Sequence, residues 1–157
     1  MKINKILTIL TFFLLIGCGF KPMYSEKKLN ENYNFTINNI GFSGNNNINQ
    51  YLKNNLVNYT NNKNKEIKYD LTIDSSTIKT ITTKNKKGDP ELFHIKILIN
   101  VDIIENNKLK SQTILEEGFE YKNKSNKFQL DKYEKNIQKN LTNKLSKDLI
   151  DYLYYIK

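Results

Sequence analysis

The sequence lacks most of the residue types on which metal and cofactor sites depend. Among its 157 residues are one cysteine, Cys18, and one histidine, His94. A single cysteine excludes an intramolecular disulfide and a multi-cysteine zinc site, and a single histidine excludes a histidine-based metal site. Neither GxxxxGK[ST] nor GxGxxG occurs, so no phosphate-binding nucleotide fold is indicated. We therefore expect neither a metal ion nor a cofactor.

Arginine, alanine and tryptophan are absent, and every basic residue is a lysine. The 25 lysines exceed the 16 acidic residues, which gives a net charge of +9. Asparagine, lysine and isoleucine are frequent, as in the product of an AT-rich coding sequence, so most of the lysine excess is interpreted as a solvated surface. That surface still attracts anionic partners. The lysines are scattered and form no nucleic-acid-binding motif, so we expect no nucleic acid partner.

The N-terminus has the pattern of a lipoprotein signal peptide. Two lysines precede an apolar run, Ile6–Ile16, which is shorter than the roughly 20 residues of a membrane-spanning helix but typical of a signal peptide. The run ends in Leu15-Ile16-Gly17-Cys18, which has the form of a bacterial lipobox. The small Gly17 lets a membrane peptidase reach the next bond, and the Cys18 thiol takes the diacylglycerol. We predict a signal peptide over residues 1–17 and lipid attachment at Cys18.

The predicted modification determines the compartment. Two or three acyl chains hold a protein stably at a membrane, whereas one chain is marginal. Gly19 follows the cysteine, in place of the aspartate that commonly retains Gram-negative lipoproteins at the inner membrane. We therefore predict a protein that is lipid-anchored to the periplasmic face of the outer membrane.

Hydrophobic periodicity divides the mature chain into a linker, residues 18–32, and one domain, residues 33–157. Alternating apolar residues predict strands, and apolar residues three or four apart predict helices. The predicted elements are a strand at 33–40, a helix at 48–59, strands at 67–83, 95–103 and 108–121, and a long helix at 129–155. Gly44 and the asparagines Asn45 to Asn47 are expected to form a turn and the N-cap before the first helix.

The element order β-α-β-β-β-α predicts an α+β two-layer sandwich. Its simplest packing places both helices on one face of a four-stranded, mainly antiparallel sheet. In the last strand we expect Phe119 and Tyr121 to point inward, and we expect a β-bulge at Glu116-Glu117-Gly118.

No catalytic constellation is evident. His94 lies at the start of a strand, where a partly exposed structural histidine is the expected role. Glu116 and Glu117 are adjacent in a strand and so face opposite sides, which argues against a cooperating pair. We expect a protein that is not an enzyme.

Two lysine clusters and one tyrosine cluster are candidates for binding. Lys84, Lys86 and Lys87 lie in a predicted turn with Gly88, where they could meet the phosphates of lipid A or of the lipopolysaccharide core. A solvated turn is the competing interpretation. The second, weaker lysine cluster consists of Lys122, Lys124 and Lys127. The tyrosine cluster consists of Tyr152, Tyr154 and Tyr155, and we expect it to pack on the sheet or on a partner.

The opening of the mature chain, Cys18-Gly19-Phe20-Lys21-Pro22-Met23-Tyr24, resembles that of the alphaproteobacterial LptE family of lipopolysaccharide-assembly lipoproteins. The resemblance implies a β-α-β-β-β-α domain, anchored in the outer membrane, that plugs the LptD β-barrel and assists its assembly. It also implies binding of lipopolysaccharide on its way to the cell surface. Cys18 matches the lipid-attachment site, and the turn with Lys84, Lys86 and Lys87 matches a basic region of the family.

Two other functions stay open at this point. One is an auxiliary lipoprotein subunit of an envelope lipid or solute transporter, which would share the anchor and the small domain. The other is a periplasmic hydrolase, which would need a nucleophile and a base that the sequence does not reveal.

Overall fold

The computed structural model describes residues 33–62 and 64–157. The predicted signal peptide (1–17), Cys18 and the linker (18–32) lie outside the described residues. The strands and helices are β1 (Phe35–Gly44), α1 (Asn46–Leu56), β2 (Ile67–Lys84), β3 (Pro90–Glu105), β4 (Lys108–Lys122) and α2 (Lys127–Tyr155). A short 3-10 helix, Val57–Tyr59, continues α1.

The four strands form one sheet in the order β1-β2-β3-β4. The β1–β2 pair is parallel, as the intervening α1 crossover allows, and the other two pairs are antiparallel. Both helices pack on the same face of the sheet and against each other, which confirms the predicted two-layer architecture.

The core lies between that sheet face and the two helices. The β3 residues that alternate inward are at most 1% exposed, as their spacing predicts: Ile95, Ile97, Ile99, Val101 and Ile103. They meet helix residues that are also at most 1% exposed: Ile48, Leu52 and Leu56 of α1, and Leu145, Leu149 and Leu153 of α2. The other sheet face carries polar cross-strand pairs such as Gln112–Asp102 (2.8 Å).

The turn between β1 and α1 forms as predicted. Gly44 has φ of 85°, in the left-handed region that favours glycine. Asn45 is the N-cap, and its Oδ1 accepts hydrogen bonds from the backbone N–H groups of Asn47 (3.0 Å) and Ile48 (3.2 Å). This cap satisfies two of the donors that a helix start leaves without partners.

Helix α2 runs lengthwise over β4, so that its two ends lie at the two ends of the domain. The hydroxyls of Ser111, near the start of β4, and Tyr152, near the end of α2, are hydrogen-bonded at 2.7 Å. At the opposite end Tyr121 donates to Glu134 at 2.8 Å. The 29 residues of α2 span about 43 Å. Neither described helix is both long and apolar enough to cross a bilayer.

The structure differs from the predictions in three places. Strand β3 begins at Pro90, five residues before the predicted start. Strand β1 continues to Gly44, because a register shift between Ile37 and Asn39 lets Ile40 and Phe42 also face the core. The predicted bulge at residues 116–118 is wrong, since the β3–β4 register is continuous there and shifts instead between Ile103 and Ile104.

Gly118 and Phe119 in β4 have specific surroundings. Gly118 leaves room for the single histidine, because a Cβ there would lie 2.6 Å from Nε2 of His94. Phe119 lies opposite Ile95 on the helix-covered face, as predicted, but it is 45% exposed because α2 leaves this edge position uncovered.

We predict that Tyr33 makes stability fall at alkaline pH. Burial, reinforced by Asp151, raises the pKa of Tyr33 from 10.0 to about 12. The folded state therefore keeps a proton that the unfolded state loses above pH 10, so this contribution is complete below pH 10 and is lost as pH rises through 12. Tyr33→Phe should make the free energy of unfolding decline less steeply between pH 10 and 12 in urea titrations. Tyr155→Phe, at an exposed tyrosine of α2, is the control, and an equal change in both variants would contradict the prediction.

Candidate functional site

The turn between β2 and β3 presents three lysines from an ordered backbone. Asn85 organises it: its Oδ1 accepts from the backbone N–H groups of Lys87 (2.9 Å) and Asp89 (3.0 Å). Gly88, at φ of 89°, donates its N–H to the carbonyl of Asn85 at 2.9 Å. The predicted turn with Gly88 is therefore confirmed; Lys84 is the last residue of β2 before it, and Lys84, Lys86 and Lys87 are all exposed.

The second lysine cluster lies beside this turn. Lys122, the last residue of β4, pairs with Leu92 near the start of β3. Asn123 fixes the following loop, because its N–H donates to the carbonyl of Glu91 at 2.8 Å and its side chain donates to that of Pro90 at 2.9 Å. We call the residues that the fold brings to this end of the sheet the lysine end: Lys84, Lys86, Lys87, Lys122, Lys124 and Lys127.

These six lysines are not neutralised by ion pairs within the part of the chain that is described. The five ion pairs there use other lysines: Lys79, Lys96, Lys110, Lys135 and Lys144. Three nearby carboxylates offset part of this charge. Asp89 accepts a hydrogen bond from the Asn85 side chain at 3.2 Å, and Glu120 accepts one from Thr82 at 3.0 Å. The third is Glu91. The lysine end therefore has a local excess of positive charge that can attract an anion.

An apolar groove of about 630 Å³ adjoins the lysine end. Its apolar and aromatic lining consists of Leu92, Phe119, Tyr121 and Tyr133, and its polar lining consists of Glu120, Lys122, Asn123 and Lys124. The Lys124 ammonium lies 4.2 Å from the centre of the Tyr133 ring. Two further apolar side chains, Ile81 and Phe128, are exposed near the same end of the domain, at 47% and 76%.

A hydrogen-bond network supports the floor of the groove. Burial and the hydrogen bond to Glu134 raise the pKa of Tyr121, so its phenol stays protonated and donates to that carboxylate. Glu134 also forms an ion pair with Lys79 (2.6 Å), whose ammonium lies 4.3 Å from the centre of the Phe93 ring. The groove is thus fixed to both the sheet and α2.

The arrangement suits an anionic amphiphile. Lysine ammonium groups can contact phosphates as point charges, and an adjacent apolar surface can accept hydrocarbon. Binding of this kind would need no covalent chemistry.

The other residues considered from the sequence do not join this site. His94 is half-buried on the sheet face away from the helices, opposite Thr80 and Glu120. Glu116 and Glu117 face opposite sides, as predicted, and pair with Lys96 and Lys144 respectively. In the tyrosine cluster, Tyr152 packs on the sheet, whereas Tyr154 and Tyr155 are exposed at the far end of α2.

Sequence reasoning treated the two lysine clusters separately and missed their convergence. The convergence could have been predicted from the tight turn at Asn106-Asn107, which sets the pairing of β3 with β4. These two residues have φ of 52° and 62°. Counting back from that turn along two paired strands places residue 122 opposite residue 91. The observed partner is Leu92, shifted by the one-residue bulge beside Ile104.

Several solved structures share this fold. They include the rare lipoprotein B of Shewanella oneidensis, with a TM-score of 0.58, 9% identity, and coverage of 74% of this chain and 93% of that chain. A minor lipoprotein of Acinetobacter baumannii has a TM-score of 0.55, 14% identity, and coverage of 74% and 88%. A putative lipoprotein of Caulobacter crescentus has a TM-score of 0.55, 9% identity, and coverage of 76% and 88%. At these identities the likeness establishes a common fold.

No family model matches the chain, and no curated protein matches it.

Proposed function

We propose that this chain is a lipopolysaccharide-assembly lipoprotein of the LptE type, attached through Cys18 to the periplasmic face of the outer membrane. The observation that carries the proposal is the lysine end, where two clusters distant in sequence meet beside an apolar groove. The shared fold supports it, since rare lipoprotein B is another name for LptE. The lipobox and the opening Cys18–Tyr24 supply the third line of support.

The proposed role is non-enzymatic. The six lysines contact the phosphates of lipid A and compete with the divalent cations that bridge neighbouring lipopolysaccharide molecules. The groove beside Phe119 and Tyr133 covers the first part of an acyl chain. Together these contacts loosen lipopolysaccharide aggregates so that single molecules can be handed on.

The proposed partner is an LptD-like β-barrel, which the domain would plug and help to assemble. The sheet face away from the helices carries paired polar side chains, as in Asn39–Asp70 (2.9 Å) and Ser43–Asp74 (2.6 Å). Ile78 and Ile114 are also exposed on this face, at 46% and 66%. Such a mainly polar surface suits the hydrated interior of a barrel better than contact with lipid tails.

We predict that the tagged, lipidated protein co-purifies from crosslinked outer membranes with a large β-barrel in a roughly one-to-one ratio. The barrel should also protect the domain from added protease. Cys18→Ser is the matched variant, because it removes the acyl chains and leaves residues 33–157 unchanged; it should recover less of the barrel, since no anchor holds the domain at the outer membrane.

Other co-purifying partners would count against the proposal. An inner-membrane transport complex would instead indicate the auxiliary transporter subunit. Recovery of the lipidated protein without a barrel would contradict the plug role while leaving the lipid anchor intact.

A further inference from the structure

The end of the domain opposite the lysine end exposes apolar and aromatic side chains. The strand register places the start of β2, the end of β3 and the start of β4 there, together with the last turn of α2. Four large side chains at this end are exposed, and we call them the tyrosine end: Val57 (57%), Leu109 (58%), Tyr154 (38%) and Tyr155 (82%).

The chain enters the domain at the tyrosine end. Tyr33 is the first described residue, and its ring contacts Tyr154 and Tyr59 at centroid distances of 5.5 and 5.8 Å. Its hydroxyl donates to Asp151 of α2 at 3.3 Å. These contacts fix the point where the segment from Cys18 joins the domain. That segment of fifteen residues reaches at most about 50 Å.

The chemistry of this end fits the boundary between lipid and water. Tyrosine combines an apolar ring with a polar hydroxyl and is enriched at membrane interfaces. The Lys157 ammonium lies 4.2 Å from the centre of the Tyr154 ring, and Lys108 is exposed beside Leu109. Lysines in such positions can extend their ammonium groups to the lipid headgroups while their stems lie on apolar surface.

We propose that, in the lipidated protein that has not yet entered a barrel, the tyrosine end rests on the lipid–water interface of the membrane that carries the anchor. The anchor itself rests on the proposed function, and the orientation goes beyond it. Since α2 spans about 43 Å, this contact would hold the lysine end away from the bilayer surface. The segment from Cys18 would favour this contact. Because it joins the domain at the tyrosine end, that end has the highest local concentration near the lipid.

The absence of tryptophan from the sequence permits a direct test. Tyr155→Trp and Phe128→Trp each introduce one tryptophan at an exposed aromatic position, at 82% and 76% exposure, on opposite ends of α2. The lipidated proteins are reconstituted in vesicles of phosphatidylethanolamine and phosphatidylglycerol, with or without bromine on the acyl chains. Bromine quenches tryptophan fluorescence only over short distances.

We expect brominated lipid to reduce the fluorescence of the Tyr155→Trp protein by about half, as for a side chain inserted about 5–10 Å into the interface. The Phe128→Trp protein should change little. Equal quenching of both, stronger quenching of the Phe128→Trp protein, or no quenching of either would overturn the proposal. The last result would indicate that the tyrosine end stays in water, away from the lipid.

Failure of the anchor can be distinguished from failure of the orientation. Mass spectrometry of the purified chain shows whether Cys18 carries acyl chains. If it does not, the proposed function loses its anchor, and a maleimide lipid can be coupled to the same thiol, the only one in the chain. The comparison of the two tryptophan variants then tests the tyrosine end by itself.

Discussion

Gly44→Ala should lower the free energy of unfolding by about 3 kcal/mol or more, as expected when backbone strain and a steric clash combine. Gly44 has φ of 85°, which an alanine adopts only under strain. A Cβ at this position would also lie 2.0 Å from the carbonyl oxygen of Ser75 and 2.9 Å from its backbone nitrogen.

The clash cannot be relieved at low cost. Ser75 lies in β2, which is hydrogen-bonded to β1 on one side and to β3 on the other. Its carbonyl accepts from the N–H of Asn45 at 2.9 Å, next to the cap of α1. Moving this strand would disturb the sheet, the cap and the first turn of the helix together.

Alanine substitutions at two other glycines distinguish the effect of the steric clash from the effect of backbone strain. Gly88 has nearly the same φ, 89°, but a Cβ there has no atom within 4 Å, so Gly88→Ala should cost about 1 kcal/mol. Gly41 has no such backbone strain and its nearest contact is 3.9 Å, so Gly41→Ala should be close to neutral. Urea denaturation measures all three. If Gly44→Ala cost no more than Gly88→Ala, contact with Ser75 would not be the cause.

Local periodicity was enough to predict most of the fold. The alternation from Ile95 to Ile103 defined β3, and the spacing of Ile137, Leu141, Leu145 and Leu149 defined α2, because each pattern reflects one buried face. An N-cap within Asn45 to Asn47 was predictable because an asparagine side chain can accept from the free N–H groups of a helix start. These features depend on residues that are close in sequence.

The errors arose where pairing between strands decides the outcome. A β-bulge depends on how two strands align, so neither the shift at Asn38 nor the one near Ile104 has a signature in its own strand. Gly118 was taken as a bulge residue, whereas its smallness accommodates His94 of the neighbouring strand. The convergence of the lysine clusters has the same origin, because it follows from the β3–β4 register.

Charge reversal at Lys84, Lys86 and Lys87 should weaken binding to lipopolysaccharide at least about tenfold, since each lost ammonium–phosphate contact is worth on the order of 1.5–3 kcal/mol before solvent screening. These side chains make no ion pair with a described carboxylate, so replacing them by glutamate removes no such interaction from the folded domain. Displacement of a fluorescent lipopolysaccharide by unlabelled lipopolysaccharide, at several salt concentrations, would measure the affinity.

A matched triple variant tests whether position or total charge matters. Lys53, Lys139 and Lys147 are exposed, lie on the helices away from the lysine end and make no ion pair with a described carboxylate. Changing them to glutamate alters the net charge by the same amount. If this variant lost as much affinity as the turn variant, attraction would come from overall charge alone. If only the turn variant lost affinity, and its binding became less sensitive to salt, the phosphates would be held locally by the lysine end.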